Sequence, residues 1–402
     1  MGKVMRVSQF ALGFCSSIVV ITAFRFMIES LFSGKMSEII IISNEPTTLP
    51  RIKDRPPEFL DDVPHPSPSS RSELTAKKRL REIEERQDKV QAAGERRLEN
   101  LELFQQMNRD PLPTVSAFGT TDANKICKGD DASRCLPKFL NLESRMRTAA
   151  QYKLAVCVIQ KSMSTLLAAT MCYLHNETSF VSAGRSFRHE YSNDRLCLKE
   201  NEFDSVKKAI GGNDTTDWTL LTAVREPIDR FLSGYVDKCI SNNCWANMTC
   251  FILTEYQRLM NQTNAKKLPN TFEDRHALWS TELTVSGMNF WFKTLEHCRM
   301  GKYIEDFDLI RYSGANEVGV LSFKRQFFRV LRAAGVPENS MSFIRFQMEG
   351  DRSIHSTIGS KAREFFENRL RSSPFLMEYV IRMFYYDFEL YGFEQPKIEF
   401  KV

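Results

Sequence analysis

Two short apolar runs constrain the fold of this chain more than any other feature of its sequence. Residues 154–159 (LAVCVI) and 218–224 (WTLLTAV) carry no charge and are rich in branched side chains. Runs of this kind are typical of strands that are buried on both faces of a parallel sheet. Residues 162–174 follow the first run with helical character, and Pro227 stands where a helix can begin after the second. These strand–loop–helix units predict an α/β fold with a central parallel sheet flanked by helices.

The chain is long enough for one large domain with additional segments. It has 402 residues, of which 42% are hydrophobic and 11% aromatic, so it can bury a sizeable core. Its 55 Lys and Arg residues against 50 Asp and Glu residues give a net charge of only +5. Dedicated nucleic-acid-binding proteins carry a more concentrated basic excess, so we expect no nucleic-acid partner. The mean hydropathy of −0.34 excludes a protein with several membrane spans.

The N-terminal segment predicts a membrane anchor. Residues 7–24 carry no charge and are long enough for one helix across the hydrocarbon core of a bilayer. Lys3 and Arg6 precede this segment and place residues 1–6 in the cytosol. We expect an uncleaved signal-anchor because no small-residue cleavage site precedes Arg25; a cleaved signal peptide is the alternative. With the anchor, the chain is a single-pass type II membrane protein whose remaining residues lie in the secretory lumen.

Glycosylation sequons and cysteines agree with a lumenal location. Nine of the ten cysteines lie beyond the anchor, where disulfides are able to form. Nine is an odd number, so at least one thiol is predicted to be free or to pair between chains. A zinc site at Cys239, Cys244 and Cys250 is the weaker alternative, because their spacing contains no close C-x2-C pair. The four N-glycosylation sequons begin at Asn176, Asn213, Asn247 and Asn261.

The segment between the anchor and the first strand has the composition of a stem. Residues 43–72 are rich in Pro, Ser and Asp, which is typical of an extended linker. Residues 73–107 change to a Lys-, Arg- and Glu-rich helical pattern, which favours a solvated helix over a strict coiled coil. A Pro-x-Pro sequence ends this pattern. We therefore assign residues 25–113 to the stem and residues 114–402 to the lumenal domain.

The first candidate site follows the first predicted strand. Lys161 stands in the loop, and Ser164 and Thr165 stand near the start of the next helix. Backbone N–H groups at a helix N-terminus bind anions, while the lysine adds a charge and the hydroxyl groups add donors. The loop contains no glycine and its lysine comes early, so it is not a Walker A loop. A Ser/Thr cap of the helix explains the same residues equally well.

The second candidate site follows the second strand, in the stretch TAVREPIDRFLSGY (residues 222–235). Arg225 is expected to leave the carboxyl end of the strand, which is where ligands of parallel sheets bind. Ser233 is expected about two turns into the next helix, some ~10 Å further along. A guanidinium can bind a phosphate through two N–H groups, and a hydroxyl can complete the site. A surface arginine beside solvated Asp229 and Arg230 is the alternative.

This second stretch resembles the 3′-phosphate-binding segment of Golgi carbohydrate sulfotransferases. It is most similar to the group that contains the chondroitin and dermatan 4-O-sulfotransferases, with its many nematode-type members. The stretch CVIQKSMSTLLAATM (residues 157–171) resembles the 5′-phosphosulfate loop of that family, and parts of residues 289–312 and the C-terminal helices resemble its later blocks. The resemblance spans roughly residues 150–393. It implies a P-loop-like sulfotransferase fold and a location in the Golgi membrane.

The resemblance implies transfer of a sulfuryl group from 3′-phosphoadenosine 5′-phosphosulfate to a hydroxyl group of a glycan, such as a glycosaminoglycan. Lys161 would hold the 5′-phosphosulfate and stabilise the leaving oxygen, while Ser164 and Thr165 would donate hydrogen bonds to the 5′-phosphate. Arg225 and Ser233 would hold the 3′-phosphate. We expect no metal, because lysine and arginine supply the positive charge.

The acceptor hydroxyl needs a general base, and His189 is the favoured candidate. It follows the 5′ loop at a distance where members of the family often place a histidine, and imidazole accepts protons near neutral pH. Glu190 is the reserve base, and His355 is a weaker candidate for a residue near the nucleotide. A solvated loop histidine beside Glu190 is the structural alternative.

Two other functions stay open at the level of sequence. Asp306 and Asp308 form a D-x-D pattern, which holds a metal ion in many glycosyltransferases but is common by chance. The first loop departs from the sulfotransferase pattern at Gln160 and Met163, which leaves a membrane-tethered binding protein or pseudoenzyme open. Chelation should inactivate the glycosyltransferase, and a binding protein need not bind the nucleotide. The stem helix and the odd cysteine are compatible with a homodimer.

Overall fold

The structure is a computed structural model in which a large part of the chain is described. The predicted cytosolic tail and anchor (residues 1–24), the block at residues 289–291, Cys244 and His355 lie outside the described residues. Among the helices that are described, none is long and apolar enough to cross a membrane. The described residues are 71–137, 145–191, 195–240, 247–264, 298, 300–314, 317–349 and 357–400.

The chain divides into two compact units, residues 1–78 and residues 79–402, and the contacts below lie within the second. The helical pattern predicted over residues 73–107 forms the first two helices. A π-helical turn at Val236–Ile240 directly continues the sixth helix. The helices are α1 Arg71–Leu98, α2 Leu101–Met107, α3 Ser164–His175, α4 Glu177–Ser182, α5 Val206–Ile210, α6 Pro227–Tyr235, α7 Met248–Asn264, α8 Met300–Tyr303, α9 Glu317–Ala333, α10 Glu338–Glu349, α11 Lys361–Arg371 and α12 Pro374–Tyr391.

The central sheet is mixed, which corrects the prediction of a parallel sheet. β2, β4 and β5 are parallel, but β1 pairs antiparallel with both β2 and β3, and the order is β3-β1-β2-β4-β5. A single turn at Ala150–Tyr152, closed by Lys153 at φ 44°, joins β1 to β2. A connection this short permits only an antiparallel pair, because a parallel pair needs a long crossover. The strands are β1 Met146–Ala149, β2 Leu154–Cys157, β3 Glu202–Phe203, β4 Thr219–Arg225 and β5 Phe307–Tyr312.

β2 lies at the centre of the sheet and is buried on both faces, as its apolar run predicts. Leu154 and Val156 join the core beneath α3, α9 and α10. Ala155 and Cys157 point to the opposite face and pack with residues of α5 and α8. Because successive strand residues face opposite sides, a strand covered on both faces needs an uninterrupted apolar run. The loop that follows β2 is therefore held on a rigid support.

Disulfides tie several of these elements together, and no cysteine in the described part of the chain is free. Cys239 and Cys250 are both disulfide-bonded, so neither has a thiolate to offer a zinc ion. This overturns the zinc alternative. Eight of the nine cysteines beyond the predicted anchor are bonded, and Cys244 is outside the described residues, so the prediction of an unpaired thiol stays a prediction. The pairs whose two members are both known are Cys127–Cys135, Cys157–Cys298 and Cys172–Cys197.

The helix that the sequence assigns to a solvated stem is exposed over much of its length but also makes contacts with the sheet domain. Gln87 and Leu98 are buried in α1. In α2, Phe104 is fully buried and packs its ring 5.3 Å from that of Phe366 in α11. In the segment that follows α4, His189 lies 3.2 Å from Asp88 of α1.

Candidate functional site

The two predicted donor-binding segments meet at one edge of the sheet. β2 and β4 are parallel neighbours, so the residues that follow them emerge side by side. Arg225 is the last residue of β4, as predicted, and its Nη1 donates a hydrogen bond of 3.0 Å to the backbone carbonyl of Lys161. Both residues are buried. The bond joins two segments that lie 64 positions apart in the chain.

The loop between β2 and α3 has an unusual backbone. Lys161 and Met163 adopt left-handed conformations, with φ of 63° and 60°, although neither is glycine. Each such residue costs roughly 1–2 kcal/mol, and such residues gather at ligand-binding sites. Met163 is the N-cap of α3 and makes no side-chain cap bond, so the first N–H groups of the helix receive no side-chain cap. The alternative of a simple Ser/Thr cap is therefore wrong, because no side chain caps the first turn of α3.

Ser162 is a site residue that the sequence interpretation missed. Its side chain is fully buried, and its Oγ has no hydrogen-bond partner among the described residues. A buried hydroxyl without a partner costs about 1–3 kcal/mol. The predicted residues Ser164 and Thr165 follow it at the start of α3 and are half-buried. The loop thus holds a hydroxyl group for which a ligand oxygen would be a partner.

A partly buried carboxylate fixes the guanidinium of Arg225. Asp229, in the first turn of α6, accepts a hydrogen bond from Arg225 Nε at 2.5 Å and one from Arg363 Nη2 at 2.5 Å. Burial by itself raises the pKa of Asp229, but the two arginines outweigh it and hold the pKa below its ordinary value. Asp229 is therefore ionised and paired with two arginines. This corrects the alternative in which Asp229 is a solvated surface charge. The Tyr312 ring lies 5.2 Å from the guanidinium carbon of Arg225.

The hydrogen bonds of Arg225 leave part of its guanidinium available. Nε and Nη1 are engaged as described, whereas Nη2 has no acceptor among the residues that the structure describes. Arg230, the other arginine of this stretch, is 1% exposed and faces Asp387 at 3.7 Å, so it belongs to the core and not to solvent. Of the two arginines, Arg225 is the one placed to bind an anion beside the first loop.

A second carboxylate faces Lys161. Lys161 Nζ lies 3.2 Å from Asp237 Oδ2, and both side chains are 6% exposed. Asp229, Ser233 and Asp237 are spaced by four residues, which brings their side chains to neighbouring positions of one helical face. Ser233 is buried, two turns into α6 as predicted, between the carboxylate that holds Arg225 and the one that holds Lys161. The four-residue spacing was visible in the sequence, but nothing in it indicated a partner for Asp237.

Comparison with known proteins covers the region of the chain that carries these residues. The sequence model described as "Sulfotransferase family" matches residues 144–394, which is more than half of the chain and contains every residue of the site above. The chain belongs to the sulfotransferase family. The match supports a sulfotransferase enzyme, but it does not identify the chondroitin and dermatan 4-O-sulfotransferase group that the sequence resembles.

Two curated relatives come from Caenorhabditis elegans. An uncharacterized protein is 36% identical to this sulfotransferase over 311 residues, which cover 74% of this chain and 82% of the relative. A carbohydrate sulfotransferase, chst-1, is 26% identical over 275 residues, covering 64% of this chain and 78% of that protein. No solved structure matches the chain.

The structure places His189 in a polar contact with α1. Its Nδ1 lies 3.0 Å from Ser186 Oγ and 3.6 Å from Glu84 Oε1, and its Nε2 lies 3.2 Å from Asp88 Oδ1. Burial by itself lowers the pKa of His189, but the hydrogen bonds and charges of Glu84 and Asp88 outweigh it and raise the pKa above its ordinary value. In the described part of the chain, none of the ring's hydrogen bonds or ion pairs reaches the loop after β2. The role of His189 as a base stays a prediction.

The raised pKa of His189 predicts that the stability of the fold depends on pH. A histidine whose pKa is raised on folding adds stability below its unfolded-state pKa of about 6.5, and this stability is lost as the pH rises through the folded-state pKa. We therefore expect the free energy of unfolding to fall between pH 6 and pH 8.5 by up to about 1 kcal/mol more in the parent than in His189→Gln. Urea unfolding at the two pH values measures the free energies of unfolding. An equal decrease in the parent and in His189→Gln would contradict the prediction.

Glu190, the reserve base, is buried and held by contacts with neighbouring residues. It is 2% exposed, pairs with Arg185 and accepts a 2.9 Å hydrogen bond from the backbone N–H of Leu196. Burial raises the pKa of Glu190, although the positive charge of Arg185 and the Leu196 N–H oppose this effect. These contacts fix the segment that carries His189.

In the part of the chain that the structure describes, the D-x-D pattern is not part of a cluster that could hold a metal ion. Asp306 and Asp308 are both exposed at the start of β5. Within the described ranges, no group of three or more His, Cys, Asp or Glu side chains is arranged to hold a metal ion.

The four predicted glycosylation sites differ in their surroundings. Asn176, Asn213 and Asn261 are exposed. Asn247 is half-buried, and its Nδ2 donates hydrogen bonds to the carbonyl of Met107 at 2.8 Å and to Asp110 at 2.9 Å. A glycan on Asn247 would replace one of the N–H groups in these bonds, so this sequon fits glycosylation of the folded chain least well.

Proposed function

We propose that this sulfotransferase transfers a sulfuryl group from 3′-phosphoadenosine 5′-phosphosulfate to a hydroxyl group of a carbohydrate. The name of the relative chst-1 supports a carbohydrate acceptor. The sequence resemblance supports a chondroitin- or dermatan-like glycan as the acceptor. We further propose that the enzyme works in the Golgi lumen, tethered as a type II membrane protein by residues 7–24.

One observation carries this proposal: the hydrogen bond between Arg225 and the carbonyl of Lys161. The donor carries negative charge at two ends, the 5′-phosphosulfate and the 3′-phosphate. A site for it needs two cationic groups held at a fixed separation. The bond fixes the loop that carries Lys161 against the strand end that carries Arg225, so the two cations are held in one site.

The remaining groups fit the donor. The uncapped N–H groups of α3, the buried hydroxyl of Ser162 and the hydroxyls of Ser164 and Thr165 are donors that suit the 5′-phosphate. The available Nη2 of Arg225 and the hydroxyl of Ser233 suit the 3′-phosphate. Anions bound at helix N-termini gain both hydrogen bonds and the favourable helix dipole.

The proposed reaction is an in-line displacement at sulfur. The acceptor oxygen forms a bond to sulfur, the bond from sulfur to the bridging phosphate oxygen breaks, and 3′,5′-adenosine bisphosphate leaves. The ammonium group of Lys161 stabilises the charge that develops on the bridging oxygen. The hydroxyl proton passes to a base, for which we propose His189. Because the pKa of His189 is raised, its ring would be free to accept this proton only at a higher pH than an ordinary histidine needs.

Calorimetric titration with 3′,5′-adenosine bisphosphate tests the proposal. We expect the purified full-length protein in detergent to bind this product in the micromolar range, with the same affinity in EDTA. Adenosine 5′-monophosphate, which lacks the 3′-phosphate, is the matched control ligand and should bind at least tenfold more weakly. A folded protein that does not bind would count against the proposal, and binding lost in EDTA would favour the metal-dependent glycosyltransferase. Transfer of radiolabelled sulfate to chondroitin, dermatan and neutral glycans then identifies the acceptor.

A further inference from the structure

We propose that Asp237 is a positioning residue that holds the ammonium group of Lys161 in place for the 5′-phosphate end of the donor. This inference rests on the proposed function. It adds a residue from a different element, the π-helical turn after α6, to a loop whose own sequence contains no carboxylate.

The ion pair of Lys161 with Asp237 is buried, and its burial restricts where the ammonium group can lie. Lys161 Nζ and Asp237 Oδ2 are 3.2 Å apart, and each side chain is 6% exposed. A lysine ammonium sits on a flexible four-carbon stem, so its position is poorly defined unless a partner fixes it. Removing one member of a buried ion pair also leaves the other charge uncompensated, which disfavours the charged form that attracts a phosphate.

The protein also contains a lysine–aspartate ion pair that is exposed to solvent. Lys153 Nζ lies 3.1 Å from Asp217 Oδ2, but the two side chains are 58% and 77% exposed. An exposed pair of this kind contributes little because water screens it and its side chains move freely. It supplies a matched control for the buried pair.

The element that carries Asp237 is itself fixed. Its π-helical turn continues α6, whose residue Asp229 holds Arg225. Asp229 and Asp237 are eight residues apart, which is about 12 Å along a helix and places one carboxylate at each proposed cation. Cys239, two residues beyond Asp237, is buried and disulfide-bonded. One helix with a restrained end thus sets the positions of both cations.

The test compares two ligands that differ only in the 5′-phosphate, namely 3′,5′-adenosine bisphosphate and adenosine 3′-monophosphate. The dissociation constant of adenosine 3′-monophosphate divided by that of 3′,5′-adenosine bisphosphate measures what the 5′-phosphate contributes to affinity. We expect Asp237→Asn to lower this ratio about tenfold, the effect of one charge-assisted hydrogen bond, and to leave the affinity for adenosine 3′-monophosphate within about twofold. Asp217→Asn should leave both affinities unchanged.

A double-mutant cycle separates positioning from a merely structural role. If Asp237 acts through Lys161, Lys161→Met lowers the ratio and adding Asp237→Asn lowers it no further. Additive losses in the double variant would overturn the inference, and so would an unchanged or increased ratio in Asp237→Asn. If Asp237→Asn does not fold, Asp237→Glu takes its place, with an expected decrease of about threefold or more; an unchanged ratio again overturns the inference.

The parent protein separates this inference from the function on which it rests. A folded parent that binds neither ligand contradicts the proposed function. A parent that binds both, with a ratio that Asp237→Asn leaves intact, contradicts the role of Asp237 alone.

Discussion

Replacing Arg225 by alanine is expected to weaken the binding of 3′,5′-adenosine bisphosphate at least 100-fold, or about 3 kcal/mol. Two losses combine in this variant. The 3′-phosphate loses the guanidinium proposed to bind it. The carbonyl of Lys161 also loses its hydrogen bond, so the loop after β2 is no longer held against the end of β4.

Arg225→Lys distinguishes charge from geometry. Lysine keeps the positive charge but cannot donate to Asp229, the Lys161 carbonyl and a phosphate from one planar group. We expect its affinity to fall between those of the parent and of Arg225→Ala. Arg332→Ala is the control, because Arg332 is 59% exposed and its ion pair with Glu338 lies at the surface. If folded Arg225→Ala, checked by circular dichroism, binds the nucleotide like the parent, the assignment of the 3′-phosphate site is wrong.

Removing the Cys157–Cys298 disulfide is expected to lower the free energy of unfolding by about 4–5 kcal/mol. The two cysteines are 141 positions apart, so the bond closes a long loop in the unfolded chain, and the loss of loop entropy grows with loop length. Both side chains are fully buried in the core on one face of the sheet. Urea unfolding of the double variant Cys157→Ala/Cys298→Ala measures the loss.

The Cys127–Cys135 disulfide supplies the comparison. It spans only eight positions, so its removal should cost about 2–3 kcal/mol on the same entropic account. Cys157 is the last residue of β2 and lies four positions before Lys161. We therefore expect only the Cys157–Cys298 variant to weaken nucleotide binding as well as stability. Equal losses for the two disulfides would show that loop length does not govern their contributions.

The parts of the fold that the sequence predicted are those that depend on local patterns. The run LAVCVI became β2 because a strand covered on both faces must be apolar at every position. Pro227 begins α6 because its fixed φ suits the first turn of a helix and its missing N–H is not needed there. Parallel pairing of β2 with β4 then brought Lys161 and Arg225 to one edge of the sheet. The family resemblance added chemical roles to residues that these patterns had already singled out.

What only the tertiary structure decided is which distant residues meet. The disulfide partners, the contact of Arg363 with Asp229 and that of Asp237 with Lys161 join positions between 8 and 141 residues apart. The antiparallel pairing of β1 depends on a short turn before β2 and on a distant partner, β3. The unpartnered hydroxyl of Ser162 is likewise a property of its burial. Local sequence fixes backbone preference and the burial pattern within one element. The pairing of charges is set by how the elements pack, because desolvation and partner distance determine the energy of an ion pair.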